Sequence, residues 1–148
     1  MADPAPAPQP CPLSILLVED NVADIHWLRL MMCEGEFPHR ISVARDGEAA
    51  LRALRAGERP DLIILDLNLP RVSGIEVLAA IRSADHCADI PLCVATGSEL
   101  ERDLVIQKYR LNVRCYLMKP ITPAAFADAL ETYDTLRPWA ELWRRLSR

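Results

Sequence analysis

Three carboxylates, a hydroxyl and an ammonium group stand at the ends of short apolar runs in this 148-residue chain. Glu19 and Asp20 follow Ile15 to Val18, Asp66 follows Leu62 to Leu65, Thr96 follows Leu92 to Ala95, and Lys119 follows Arg114 to Met118. If a fold gathers the carboxylates at one edge, they repel and resist ionisation unless a cation neutralises them. An all-oxygen set without His or Cys selects a hard ion. Few carboxylates, with room left for water and a phosphate oxygen, suit Mg²⁺ better than Ca²⁺. A carboxylate in that set can receive a phosphoryl group, with the metal and Lys119 neutralising its charge and Thr96 donating a hydrogen bond. Of 17 basic residues only Lys108 and Lys119 are lysine, so a chain that otherwise uses arginine keeps a compact point charge at this edge.

The elements that must position these groups alternate along the chain. Apolar, β-branched runs at Ile15 to Val18, Ile41 to Ala44, Leu62 to Leu65, Leu92 to Ala95 and Arg114 to Met118 read as strands. Between and after them, segments at Ala23 to Glu34, Gly47 to Ala56, Gly74 to Ser83, Ser98 to Arg110 and Pro123 to Thr135 read as helices. Gly35 then Pro38, Gly57 then Pro60, and Asn112 supply stop signals. Strands that are each followed by a helix imply a parallel sheet with right-handed crossovers and helices on both faces. Ligands of such a sheet bind beyond the carboxyl ends of its strands, which is where the five groups fall. Asp46 also ends a strand, but before Gly47 it reads as a turn and cap residue. His26, His39 and His86 read as surface or packing residues, and Pro70 and Gly74 as the turn and helix start that shape the loop after Asp66.

Composition narrows the class. A chain of this length fits one domain of roughly 100 to 200 residues, and 51% hydrophobic with 26% charged residues is the balance of a soluble globular protein. A net charge of -4 provides no field for a general nucleic-acid binder. Met1 to Pro12 contain no Lys or Arg and no apolar core of a signal peptide, and no run reaches the length of a membrane span, so a cytoplasmic location is expected. Cys11, Cys33, Cys87, Cys93 and Cys115 are odd in number and lack a Cys-x-x-Cys pair, and read as reduced thiols. Residues 1–13 read as an extended Pro/Ala-rich tail.

The run Ile15-Leu-Leu-Val-Glu-Asp-Asn21, the segment from Asp61 to Gly74 containing Leu-Asp66-Leu-Asn-Leu-Pro70, Val94-Ala-Thr-Gly97, and Tyr116-Leu-Met-Lys-Pro120 together resemble the receiver domain of two-component response regulators. The resemblance covers residues 14–135, in the family's order and spacing. It implies a flavodoxin-like (βα)5 fold, doubly wound, with a five-stranded parallel sheet in the order 2-1-3-4-5. It further implies Asp66 as phosphoacceptor from a histidine kinase or histidine phosphotransfer protein. Asp20 and Asp66 would be direct Mg²⁺ ligands, Glu19 would act through water, and the backbone carbonyl of Asn68 would complete the set. Thr96 would be the switch hydroxyl, Tyr116 its aromatic partner, and Lys119 the phosphate-pairing lysine, with the Lys119–Pro120 bond a candidate cis peptide. Gly97 keeps the acyl phosphate accessible, and Asn68 and Ser98 flank the path of attacking water. In this family phosphate draws Thr96 inward and Tyr116 follows, reshaping the face of the fourth helix and fifth strand.

Residues 136–148 form an amphipathic extension in which Leu136, Trp139, Trp143 and Leu146 make an apolar stripe and four arginines face one glutamate. Stand-alone regulators of bacterial phytochromes resemble this chain twice: in the Glu-Asp-Asn-x-x-Asp opening from Glu19 to Asp24, and in a C-terminal arm that joins two subunits. Trp139, Ala140 and Leu142 match that arm, whereas Arg137, Pro138 and Glu141 do not. The resemblance thus implies a homodimer with Leu136, Trp139, Leu142, Trp143 and Leu146 as its arm and a phytochrome histidine kinase as partner; the alternative is that the stripe folds back on its own domain, and no contact with nucleic acid or membrane is expected. The flanks are too short for an output domain, so a phosphorylation-switched interaction module is expected. A phosphorelay intermediate and an unphosphorylated scaffold receiver are the alternatives. An aspartyl-phosphate phosphatase is disfavoured, because no Asp-x-Asp run follows the first strand.

Overall fold

The computed structural model describes residues 11–109 and 113–147. Strands β1 (Leu13–Val18), β2 (His39–Ala44), β3 (Leu62–Asp66), β4 (Leu92–Thr96) and β5 (Tyr116–Met118) form one parallel sheet in the order 2-1-3-4-5. Helices α1 (Val22–Cys33), α2 (Gly47–Arg55), α3 (Gly74–Ser83), α4 (Glu99–Tyr109) and α5 (Pro123–Thr132) follow the strands in turn, giving the flavodoxin-like (βα)5 order expected from the sequence.

Both sheet faces are buried, and the two-residue period of a strand sorts its side chains between them. Ile15 and Leu17 of β1, Leu62 and Ile64 of β3, and Cys93 and Ala95 of β4 pack with Leu28 and Met32 of α1 and Phe126 and Leu130 of α5. The intervening Leu16, Val18, Ile63, Leu65, Leu92 and Val94 pack with Leu54 of α2 and Val77, Leu78 and Ile81 of α3. That double burial is why the strands read as unbroken apolar runs.

Helix starts are capped by the residues that precede them. Asn21, Asp46, Ser73 and Thr122 each accept a backbone N–H from three residues ahead, at Asp24, Ala49, Glu76 and Ala125 respectively. Asp46 is therefore a cap, as its place before Gly47 suggests. Gly35 and Gly57, with φ of 102° and 98°, take the left-handed conformation in which the chain leaves α1 and α2.

β1 and β2 each begin two residues early, at Leu13 and His39, so the buried Leu13 belongs to the sheet and not to the expected tail; four further features depart from the sequence reading. β5 begins at Tyr116, although the Cys115 carbonyl still accepts the Val94 N–H. α5 ends at Thr132 because Tyr133 turns inward, where its hydroxyl donates to the Leu92 carbonyl at 2.6 Å and accepts the Leu92 N–H at 3.2 Å. Cys93 and Cys115 are joined as a disulfide rather than being free thiols, since the pairing of β4 with the segment entering β5 brings their Cα atoms within 4.7 Å; Cys11, Cys33 and Cys87 are free. The Pro/Ala run of residues 1–10, the Arg110 end of the fourth helix and the Asn112 stop lie outside the described residues.

The fourth concerns the segment expected to be a subunit arm. After a 3₁₀ turn (Asp134–Leu136), residues Arg137–Leu146 form helix α6, which packs along α5 of its own chain. Leu136, Ala140, Leu142 and Trp143 are buried there, Trp139 packs partly buried against the same core, and Leu146 alone of the stripe is exposed. The Trp143 ring meets Phe37 and Phe126 edge-on, with centroids 5.1 and 4.8 Å away, and its Nε1 donates to the Pro123 carbonyl. Arg144 ties α6 to Asp128 and Glu131. Leu136 and Trp143 of the stripe are thus taken up by intramolecular packing, as are Ala140 and Leu142 beside them.

Candidate functional site

The carboxyl ends of β1, β3, β4 and β5 converge, and the ladder hydrogen bonds continue past them. The Glu19 N–H reaches the Ala44 carbonyl and the Lys119 N–H the Thr96 carbonyl, which holds both backbones in register with the sheet. Asp66 is the last residue of β3 and, after four wholly apolar positions, is 4% exposed. Glu19 is 2% exposed and Asp20 is half-buried. One oxygen from each of Glu19, Asp20 and Asp66 lies within 4.8 Å of the other two.

The Lys119 ammonium faces this cluster, 2.7 Å from Glu19 Oε2, 3.2 Å from Asp66 Oδ2 and 3.0 Å from Asp24 Oδ2. Burial would depress the Lys119 pKa, but hydrogen bonds to Glu19 and Asp24 and the field of Asp66 and Glu19 override it and raise it above the usual lysine value. Burial pushes the Glu19 carboxyl up to about 7, helped by the hydrogen bond and charge of Asp66 and opposed by Lys119 and the Asn21 N–H. One ammonium cannot neutralise two buried carboxylates, so the pair retains demand for a further cation. The remaining oxygens are bound from the backbone: Asn68 N–H donates to Asp66 Oδ1 at 3.1 Å and Asn21 N–H to Glu19 Oε1 at 3.1 Å. The donor set is all oxygen and suits a hard divalent ion such as Mg²⁺.

Thr96 is 1% exposed, and its hydroxyl exchanges hydrogen bonds with the Ser98 backbone at the start of the β4–α4 loop. Tyr116 packs partly buried against the α2/α3 side of the core, and its hydroxyl is buried without a hydrogen-bond partner among the described residues. A Cβ at Gly97 would meet nothing within 4 Å, so the space beside Thr96 is open. Asn68 is exposed and reaches Glu101 of α4 through its side-chain amide. The Lys119–Pro120 peptide bond is cis.

A model of the response regulator receiver domain matches residues 15–131. The chain belongs to the response regulator receiver family. Among curated relatives, the response regulator Rcp1 of Synechocystis sp. is 44% identical over 114 residues, which span 73% of this chain and 77% of Rcp1. Among solved structures, the bacteriophytochrome response regulator AtBRR has a TM-score of 0.75 at 36% identity, covering 83% of this chain and 93% of that one. The Mn²⁺-bound form of Rcp1 has a TM-score of 0.66 at 39% identity, covering 80% and 89%.

For this receiver-family chain, the structure brings Glu19, Asp20, Asp66 and Lys119 into one cluster, with Thr96 and Asn68 at its rim, and packs Tyr116 on the other side of the sheet. Leu136, Leu142 and Trp143 are not part of any exposed surface. The site residue whose role sequence reasoning missed is Asp24. It had figured only in the Glu-Asp-Asn-x-x-Asp spacing, yet it is one of three carboxylates on Lys119. The spacing was the available signal, since it places Asp24 in the first turn of the helix that leaves the acidic pair.

Proposed function

We propose that this receiver is phosphorylated on Asp66 by a sensor histidine kinase or a histidine phosphotransfer protein, and that it signals through partner binding and not by catalysis on other substrates. The observation that carries the reading is the buried Asp66 carboxylate, 3.2 Å from Lys119 and clustered with Glu19 and Asp20 at a sheet edge. Its position at the end of β3 coincides with the family's aspartate in Leu-Asp66-Leu-Asn-Leu-Pro70. A phytochrome kinase as donor is supported by the likeness to AtBRR and Rcp1 and by the Glu19-to-Asp24 opening.

In the transfer, a carboxylate oxygen of Asp66 forms a bond to phosphorus while the bond from phosphorus to the phosphohistidine nitrogen breaks. The imidazole leaves as its neutral form after taking up a proton. Side chains of Glu19, Asp20 and Asp66 and the backbone carbonyl of Asn68 would hold Mg²⁺, which when bound screens the phosphoryl oxygens from the carboxylates. Lys119 gives those oxygens a direct ammonium partner. The Thr96 hydroxyl exchanges Ser98 for a phosphoryl oxygen. The unpaired Tyr116 hydroxyl has most to gain from the resulting shift of the β4–α4 loop, because a buried polar group without a partner is costly. α4 exposes Leu100, Leu104 and Ile106, an apolar surface next to that loop for a partner to read. Among the described residues no helix is long and apolar enough to cross a membrane, and a cytoplasmic receiver meets a kinase domain on the same side. Most of the stripe at residues 136–146 packs within the chain, so a homodimer through this helix would use the exposed Leu146 and the partly buried Trp139.

The test is intact-protein mass after incubation with acetyl phosphate and Mg²⁺. The wild type is expected to gain one phosphoryl group and Asp66→Asn none, with chelation of the metal also preventing the gain. An equal gain in Asp66→Asn overturns Asp66 as acceptor.

A further inference from the structure

The carboxylate of Asp24 lies outside the trio of Glu19, Asp20 and Asp66, yet it is bound to the site's lysine. Lys119 Nζ donates to Asp24 Oδ2 at 3.0 Å, between its distances to Glu19 and Asp66. Among the described residues this carboxylate, in the first turn of α1, makes no hydrogen bond to its own helix. Asn21 is the N-cap of α1 and takes the Asp24 N–H on its own Oδ1, leaving the Asp24 side chain to reach towards β5. One turn further on, Trp27 Nε1 donates to the Ile121 carbonyl at 2.8 Å and ties this face of α1 to the segment just after Lys119 and Pro120. Both ends of the Asp24–Lys119 contact are therefore anchored by independent hydrogen bonds, and behind it a cavity of about 20 Å³ lined by Glu19, Asp24, Trp27 and Lys119 leaves the ammonium some room to shift.

We infer that Asp24 is a positioning residue for Lys119: it holds the ammonium towards α1 and so lets Glu19 and Asp66 accept a divalent cation without losing the lysine from the site. The inference rests on the reading of Glu19, Asp20 and Asp66 as a Mg²⁺ site. An ammonium has three hydrogens, and Lys119 faces three carboxylates, hydrogen-bonded to Asp24 and ion-paired with Glu19 and Asp66. Two of the three, Glu19 and Asp66, are those a cation must claim. Without Asp24 the lysine has only those two partners, so lysine and cation compete for the same oxygens. With Asp24 it keeps one charged partner that the cation does not use, and it stays beside Asp66 for the phosphoryl group. Asp24 acts through Lys119 and not on the metal.

A double-mutant cycle read by calorimetric titration with MgCl₂ tests this, using the full chain with Asp24→Asn, Lys119→Met and both together. Asp24→Asn is nearly isosteric at a half-exposed helix position, and circular dichroism checks that each variant is folded. In the wild-type background Asp24→Asn is expected to weaken Mg²⁺ binding about tenfold, the equivalent of about 1.4 kcal/mol. Lys119→Met is expected to strengthen binding by removing the competitor. In the Lys119→Met background Asp24→Asn should then change affinity by less than about twofold, leaving the pair strongly non-additive. Asp24→Glu should recover most of the wild-type affinity. Equal losses from Asp24→Asn in both backgrounds would overturn the inference and make Asp24 a direct contributor to the metal's field. No loss in either background would overturn it as well. A wild type that binds no Mg²⁺ would instead bring down the metal-site reading, and the inference with it, whereas additive behaviour in a protein that still takes phosphate from acetyl phosphate would leave that reading intact.

Discussion

Gly74 sits directly on the backbone of Asp66: a Cβ at Gly74 would lie 2.4 Å from the Asp66 carbonyl oxygen and 2.6 Å from the Leu67 Cα. The Gly74 N–H also donates to the Leu67 carbonyl. The first residue of α3 is thus the floor under the proposed phosphoacceptor, and because the crowding atoms are backbone they cannot swing aside. Gly74→Ala is expected to cost about 1–3 kcal/mol by overpacking and to slow phosphorylation by displacing Asp66. Urea denaturation measures the first effect and the rate of mass gain from acetyl phosphate the second. Wild-type values for both would show that the loop yields without consequence.

Glu19 is expected to make the metal-free protein pH-sensitive. Its carboxyl is raised from about 4.5 to about 7 on folding, so between those limits the folded state keeps a proton that the unfolded state has lost. Stability from this group is therefore highest below the lower limit, falls as pH rises through the window and is level above it. Denaturation midpoints measured without divalent metal should decline across the window more steeply in the wild type than in Glu19→Gln. Parallel profiles would show that Glu19 does not carry the proton.

Trp143→Ala removes a ring clasped edge-on by Phe37 and Phe126 together with a hydrogen bond to Pro123. A loss of about 3–5 kcal/mol is expected for a buried tryptophan, with no change in molar mass by light scattering. A wild-type dimer that this substitution converts to a stable monomer would instead mean that α6 packs on a neighbouring copy.

Tyr116→Phe deletes a buried hydroxyl that has no partner among the described residues. Removing an unsatisfied polar group is neutral or favourable, so the unphosphorylated protein should keep or gain melting temperature while the response of the β4–α4 loop to phosphorylation is blunted. Thermal melts with and without beryllofluoride separate the two. A clear loss of stability in the unphosphorylated protein would show that the hydroxyl is bonded after all.

The parts of this site that were legible in sequence are those fixed by local pattern. Asp66 stands out because both faces of β3 are buried, which leaves an apolar run with one charge at its end. Glu19, Asp20 and Lys119 stand out for the same reason. Asp24 could not be paired with Lys119, because the contact joins residues 95 apart and depends on how α1 leans against the end of β5. The stripe around Trp143 has the same spacing whether it faces its own core or a second subunit, so periodicity alone could not choose between them. Only the register of β4 against the entry to β5 puts Cys93 beside Cys115, and an odd cysteine count conceals such a pair.

The alternation of strand side chains between two cores has a further consequence. Leu17, Ile64 and Leu117 face α1 and α5, and two positions on from each come Glu19, Asp66 and Lys119, so the charged groups fall on the side where Asp24 waits. Val94 and Tyr116 belong to the opposite side, and Thr96, two positions beyond Val94, shares it. The sheet thus separates Glu19, Asp66 and Lys119 from Thr96 and Tyr116, while Asp20, just past the end of β1 and two positions beyond Val18, still joins the acidic cluster. Under the proposed function, a residue's odd or even place in β3 or β5 forecasts whether altering it disturbs how phosphate is received or how its arrival is relayed, with Thr96 joining the two.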